Sequence, residues 1–199
     1  MSPVWITSPV HVSRQARTDW RRRRSVAFAV CFTVLTSFAS SATAQQSKPE
    51  EYQVKAVYLY NFGRFIDWPA TGNKDDSFTI CVLGRDPFGA VLDATLAGET
   101  IGDKKLVARR LASTLDGSNC KILFISSSES SRMKQILAAV EKFGVLTVSD
   151  LPDFAINGGM IQFVLRDNKV RFEVNLAAAE RAGLTLSSQL LKVATDVMQ

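Results

Sequence analysis

This chain predicts an α/β domain: a mostly parallel sheet flanked by helices on both faces, with an antiparallel C-terminal hairpin at the sheet edge. Two observations carry that expectation. Between residues 78 and 148, short runs of β-forming residues alternate with helical spacings, and after residue 158 two strand-like runs face each other across a tight turn. A third observation sets the boundaries, because the first 44 residues have the composition of an export leader.

In that leader, Arg14, Arg17 and the arginines at 21–24 form a positive opening. Residues 26–38 then run apolar, with only Thr and Ser as polar members, and Ala42, Thr43 and Ala44 make a small-x-small cleavage site. The apolar run holds 13 residues, against the roughly 20 needed to span a bilayer. The reading is a cleaved signal peptide ending at Ala44, a periplasmic mature chain with no membrane insertion, a tether over 45–50 and one domain over 51–199. The leader holds six of the 24 basic residues and one of the 19 acidic ones, leaving 18 of each. The formal net charge of +5 therefore belongs to the leader, and no nucleic-acid or anionic-membrane partner follows from it.

Cys31 leaves with the leader, and Cys81 and Cys120 remain as an even pair in a chain bound for an oxidising compartment. A bridge between them closes a loop of about 40 residues, worth about 4 kcal/mol by chain entropy. The one histidine, His11, also lies in the leader. A His-based triad is thus excluded, as is any zinc site needing imidazole or more than two thiolates. No metal and no cofactor is expected.

The elements follow in order. Over 51–69, Val54, Val57, Tyr58, Phe62, Phe65 and Ile66 recur at helical spacing, while Ala56, Leu59 and Tyr60 populate the opposite side. Such a helix is covered on more than one side, by its own domain or by another protein. Pro69 stops it near Asp67 and Trp68. Residues 70–77 are turn chemistry, and 78–83 (FTICVL) a buried strand. Asp86 as N-cap and Pro87 as first residue open a helix that Gly98 ends. Residues 106–111 and 121–125 are further strands. Ser126 and its neighbours cap an amphipathic helix carrying Met133, Ile136, Leu137 and Val140, and 145–148 is the next strand. In 170–175, Val170, Phe172 and Val174 alternate with Arg171, Glu173 and Asn175, so one face is buried and the other wet. Asp167 and Asn168 suit the positive φ of the hairpin turn before it. Asn175 caps a short helix ended by Gly183, and Ser187 or Ser188 opens a last helix reaching Val197.

The helix ending YNFGRFIDWP, the strand ICVLG, the run KILFIS, the segment GGMIQFVLRDNKVRFEVNLAAAERAGL and the closing SSQLLKVA together resemble the YfiR family of periplasmic proteins, in the right order. The resemblance implies a non-enzymatic negative regulator, a homodimer with an α/β sandwich. Its implied partner is an inner-membrane diguanylate cyclase, repressed from the periplasmic side in cyclic diguanylate signalling, with an outer-membrane-linked protein that sequesters the repressor. Some members carry a further cysteine pair in the region matching 151–162. This chain has none there, so redox sensing by that bridge does not carry over; Cys81 and Cys120 match the remaining one.

Docking on a partner needs an aromatic anchor, and Tyr58, Phe62, Phe65 and Trp68 are the interface candidates. An alternative from another class is a small-ligand (anion) binding protein feeding a membrane sensor kinase. Arg85, Ser126 and Ser127, at the carboxyl ends of parallel strands, would hold the anion. Catalysis finds no motif: Asp86, Asp150 and Asp153 read as caps, a nucleophilic serine has no histidine as base, and a Ser–Lys pair with Lys121 or Lys134 has no motif behind it.

Overall fold

The computed structural model describes residues 48–68 and 77–199. The leader, its end at Ala44, tether residues 45–47 and the turn expected over 70–76 lie outside the described residues. The elements are α1 (Lys48–Phe65), β1 (Ile66–Asp67), β2 (Ser77–Leu83), α2 (Ala90–Leu96), β3 (Thr100–Ile101), β4 (Lys104–Leu111), β5 (Ile122–Ile125), α3 (Met133–Val140), β6 (Leu146–Ser149), β7 (Ile161–Arg166), β8 (Lys169–Asn175), α4 (Leu176–Arg181), β9 (Thr185–Leu186), α5 (Ser188–Val193) and β10 (Asp196–Met198).

The main sheet has eight strands in the order β10-β8-β7-β6-β5-β2-β4-β3. Strands β4, β2, β5, β6 and β7 run parallel, and β7 and β8 form the antiparallel hairpin. The hairpin turn has φ of 51° at Asp167 and 56° at Asn168, the left-handed pair that two-residue hairpins require. The central strands are mostly apolar and buried because both faces are covered, with Thr79, Thr147 and Ser149 as buried polar members. From β2 and β5, Phe78, Ile80, Val82, Ile122 and Phe124 join the core beneath α1 and α2. Cys81, Leu83, Leu123 and Ile125 point to the other face, where Ile136 and Val140 of α3 cover them. Cys81 and Cys120 are bonded there, with Cα atoms 5.9 Å apart, so the staple ties β2 to the chain entering β5.

Several expectations are corrected. Helix α1 starts at Lys48 and takes in Pro49 and Glu50, which the sequence reading gave to the tether; Pro suits the first turn, where its missing N–H costs nothing. Its buried side is Lys55, Ala56, Leu59, Phe62 and Gly63, so Val54 and Val57 face outward. A helix with apolar residues on more than one side does not say which stripe meets the sheet. Gly63 lets α1 approach closely: a Cβ there would collide with Ile101 and sit 3.2 Å from the Phe78 ring.

Asp86 does not cap α2. Its Oδ1 accepts the Phe88 amide at 2.8 Å in a tight local turn, and the helix begins only after Gly89, whose φ is 54°. Two strand pairs are additions: β3 against β4, and β1 against β9, the latter extended by the Ser187 amide donating to the Phe65 carbonyl at 3.0 Å. The last helix stops at Val193, and Asp196–Met198 pairs with β8 as β10, outside the hairpin. The caps at Asn175 and Ser187 form, accepting from the Ala178 and Leu190 amides at 2.9 and 3.2 Å.

Candidate functional site

Helix α1 offers the larger candidate surface. Phe62 is fully buried and cannot meet a partner, because its ring lies between Phe163 and Phe172 at centroid distances of 5.9 and 5.2 Å. Tyr58 is half-buried on the same pair. Trp68 is half-buried as well, edge-on to Phe78 at 5.1 Å, and its indole N–H donates to the Lys121 carbonyl at 3.2 Å. Of the four aromatic candidates, only Phe65 is exposed, at 36%. It shares the outward side of α1 with Val54 and Val57, exposed by 38% and 45%. Sequence periodicity set these two valines on one face of the helix without saying which face is exposed; packing of α1 on β7 and β8 decides it.

One end of α1 is fixed by a buried polar cluster that the sequence reading missed. Lys55, 3% exposed, donates to Asp150 at 2.6 Å and pairs with Glu51 at 2.5 Å. The Tyr52 hydroxyl donates to the same Asp150 oxygen at 2.7 Å, and the Lys55 ammonium lies 4.3 Å from the Tyr52 ring. Burial, and then the bond to the Asp150 carboxylate, push the Tyr52 phenol well above the usual tyrosine range. The Glu51 to Lys55 spacing was legible as a helical ion pair. Its burial and its link to Asp150, 95 residues away, were not.

The second surface is a crevice of about 880 Å³ lined by Lys48, Tyr52, Arg85, Asp86, Phe88 and Ser127 among others. Arg85, Ser126 and Ser127 line one crevice together with Ser128, and the Arg85 backbone amide donates to Ser128 Oγ at 2.9 Å. Gly84, at φ 90°, makes that approach, and a Cβ on it would stand 2.5 Å from Ser128 Oγ. Ser126 is 3% exposed and its hydroxyl accepts the Ser128 amide at 3.5 Å, shaping the turn, while Ser127 is exposed. Asp86 is held by Arg110 at 2.9 Å, and Arg110 also grips Asp93 through two nitrogens at 2.7 and 2.6 Å. That guanidinium holds the Asp93 carboxyl below its ordinary range.

Asp86 and Asp150 are thus separate, each neutralised by its own cation. Among the described residues, no cluster of three or more His, Cys, Asp or Glu side chains could hold a metal ion. No helix of the described residues is long and apolar enough to cross a membrane.

An eight-stranded, mostly parallel sheet with helices over it places the protein among α/β domains. Residues 52–195 match the family described as YfiR/HmsC-like, and the chain belongs to that family. Two solved structures are similar in fold. One is a conserved domain protein from Vibrio cholerae O1 biovar El Tor, with a TM-score of 0.51 at 11% identity over 71% of this chain and 59% of that one. The other is an ABC domain in complex with L-Trp from Streptococcus pneumonia, with a TM-score of 0.49 at 10% identity over 74% of this chain and 60% of that one. The chain spans about three fifths of the length of each. No curated protein matches it in sequence.

Proposed function

We propose that this protein is a non-enzymatic periplasmic regulator that docks on the periplasmic part of an inner-membrane diguanylate cyclase and holds it inactive. The reading is supported by membership of the YfiR/HmsC-like family. The observation that carries the docking is the outward side of α1, where Val54, Val57 and Phe65 are 36–45% exposed on a helix whose opposite side packs into the core. A homodimer and an outer-membrane-linked sequestering protein belong to the same proposal.

Repression requires that the partner's inactive state be bound more tightly than its active one. Burying a Val or Phe side chain fully yields about 1.5–3 kcal/mol. With exposures of 36–45% at these three positions, covering them yields about 1 kcal/mol each, or about 3 kcal/mol together. That corresponds to a preference of about a hundredfold between two partner states, enough to silence an enzyme if the contact exists in one state only.

The test pairs two measurements. Val57→Glu with Phe65→Glu is expected to abolish co-purification with the cyclase and to raise cellular cyclic diguanylate to the level of a deletion strain. The purified variant should stay folded by circular dichroism at the assay temperature, since neither side chain belongs to the buried core. Unchanged cyclic diguanylate in the deletion strain would remove the cyclase from the reading. A variant that still represses would move the docking surface off α1.

A further inference from the structure

We propose that the crevice between the carboxyl ends of β2 and β5 binds a small organic anion, a carboxylate or phosphate monoester on a flat apolar body. Its charge rests on Arg85, and its body lies against Pro49, Tyr52 and Pro87. This binding step stands whether or not the protein represses a cyclase.

Topology is the first argument. From β2 the chain leaves through α2 to β4 on one side, and from β5 it leaves through α3 to β6 on the other. The two loops diverge from neighbouring parallel strands, and such a crevice is where open α/β sheets hold ligands. Its volume of about 880 Å³ lies within the range of small-molecule sites.

Charge is the second argument. The Arg85 guanidinium and the Lys48 ammonium line the crevice and have no ion-pair partner among the described residues. The one carboxylate in the lining, Asp86, is taken by Arg110 at 2.9 Å. The crevice therefore carries uncompensated positive charge, and the Ser127 hydroxyl adds a free donor. A guanidinium accepts a carboxylate or phosphate through two parallel hydrogen bonds.

Rigidity is the third. Backbone placement of Arg85 is set by Gly84 at φ 90° and by its amide bond to Ser128 Oγ. The Tyr52 ring is backed edge-on by Phe88 at 5.3 Å, which is itself backed by Phe124 at 4.8 Å. An apolar wall already packed, with the backbone that carries the cation fixed beside it, reduces the entropic cost of binding.

Titration of the full chain with benzoate, phenyl phosphate, benzyl alcohol and inorganic phosphate at low ionic strength tests the site by calorimetry. Benzoate or phenyl phosphate is expected to bind, and the tighter of the two assigns the anionic group as carboxylate or phosphate. Benzyl alcohol, lacking charge, is expected to give no heat. Arg85→Gln should weaken the anion at least about tenfold. Ser127→Ala should weaken it about threefold, and Arg109→Gln, an exposed cation outside the crevice, should leave it unchanged. Arg85 is exposed, so its replacement should leave the circular dichroism spectrum as it was. No binding of either aromatic anion at about 10 mM, or wild-type affinity in Arg85→Gln, would overturn the site. Inorganic phosphate binding as tightly as phenyl phosphate would overturn the role of the apolar wall.

Discussion

Replacing Lys55 by methionine tests whether the buried cluster pins α1 to the sheet. The substitution keeps the length of the stem and removes the ammonium, leaving Asp150 and Glu51, only 14% and 16% exposed, without their cation. Removing one partner of a buried ion pair costs about 3–5 kcal/mol, because the other charge stays desolvated. The lower end applies here, since Tyr52 still donates to Asp150 at 2.7 Å. About 3 kcal/mol converts, for a domain of this size, to a fall of about 6–12 °C in melting temperature. Urea unfolding should show a lower midpoint with an unchanged slope. Adding Asp150→Leu removes one of the two stranded carboxylates, and the double variant should lose less than the sum of the two single losses. A melting temperature within about 2 °C of wild type for Lys55→Met, or a double variant showing the simple sum of two losses, would refute the reasoning.

Two further outcomes follow from the same core. The Tyr52 phenol is raised in the folded state, so its contribution is fully present below about pH 10 and is lost above it, where the unfolded chain releases a proton that the folded one keeps. Stability should fall above pH 10 with a slope approaching about 1.4 kcal/mol per pH unit from this group. Tyr52→Phe should flatten that fall, and an identical slope in both proteins would count against the assignment. Replacing Cys81 and Cys120 by alanine opens a loop spanning 39 positions and should lower unfolding free energy by about 4 kcal/mol. Since the two cysteines are 0% and 3% exposed, dithiothreitol should reduce the bond only as fast as the chain opens. Rapid reduction under native conditions would show that this layer of the core is not closed.

Much of the fold was legible because local chemistry was enough to specify it. FTICVL and ILFI are apolar at every position but Thr79, as a strand covered on both faces allows, and VRFEVN alternates because one of its faces is wet. Asp167 and Asn168 accept the left-handed turn, and Asn175 and Ser187 each present a side-chain oxygen to an amide three residues on. That the loops after β2 and β5 lie side by side was legible too, since adjacent parallel strands place their carboxyl ends together.

What the chain alone left undetermined is the orientation of one helix and the pairing of distant charges. Helix α1 has apolar residues on more than one side, so spacing alone did not choose which side meets the sheet. Only contact with Phe163 and Phe172 decided that Leu59 and Phe62 go inward and Val57 and Phe65 outward. The cluster of Lys55, Tyr52 and Asp150 joins the first helix to the residue just after β6. No local pattern encodes a meeting across 95 positions; it exists because the sheet brings the end of β6 beneath α1. Amphipathicity and capping are properties of a short stretch of chain, whereas exposure and ion pairing depend on what lies opposite, and that is set by tertiary packing.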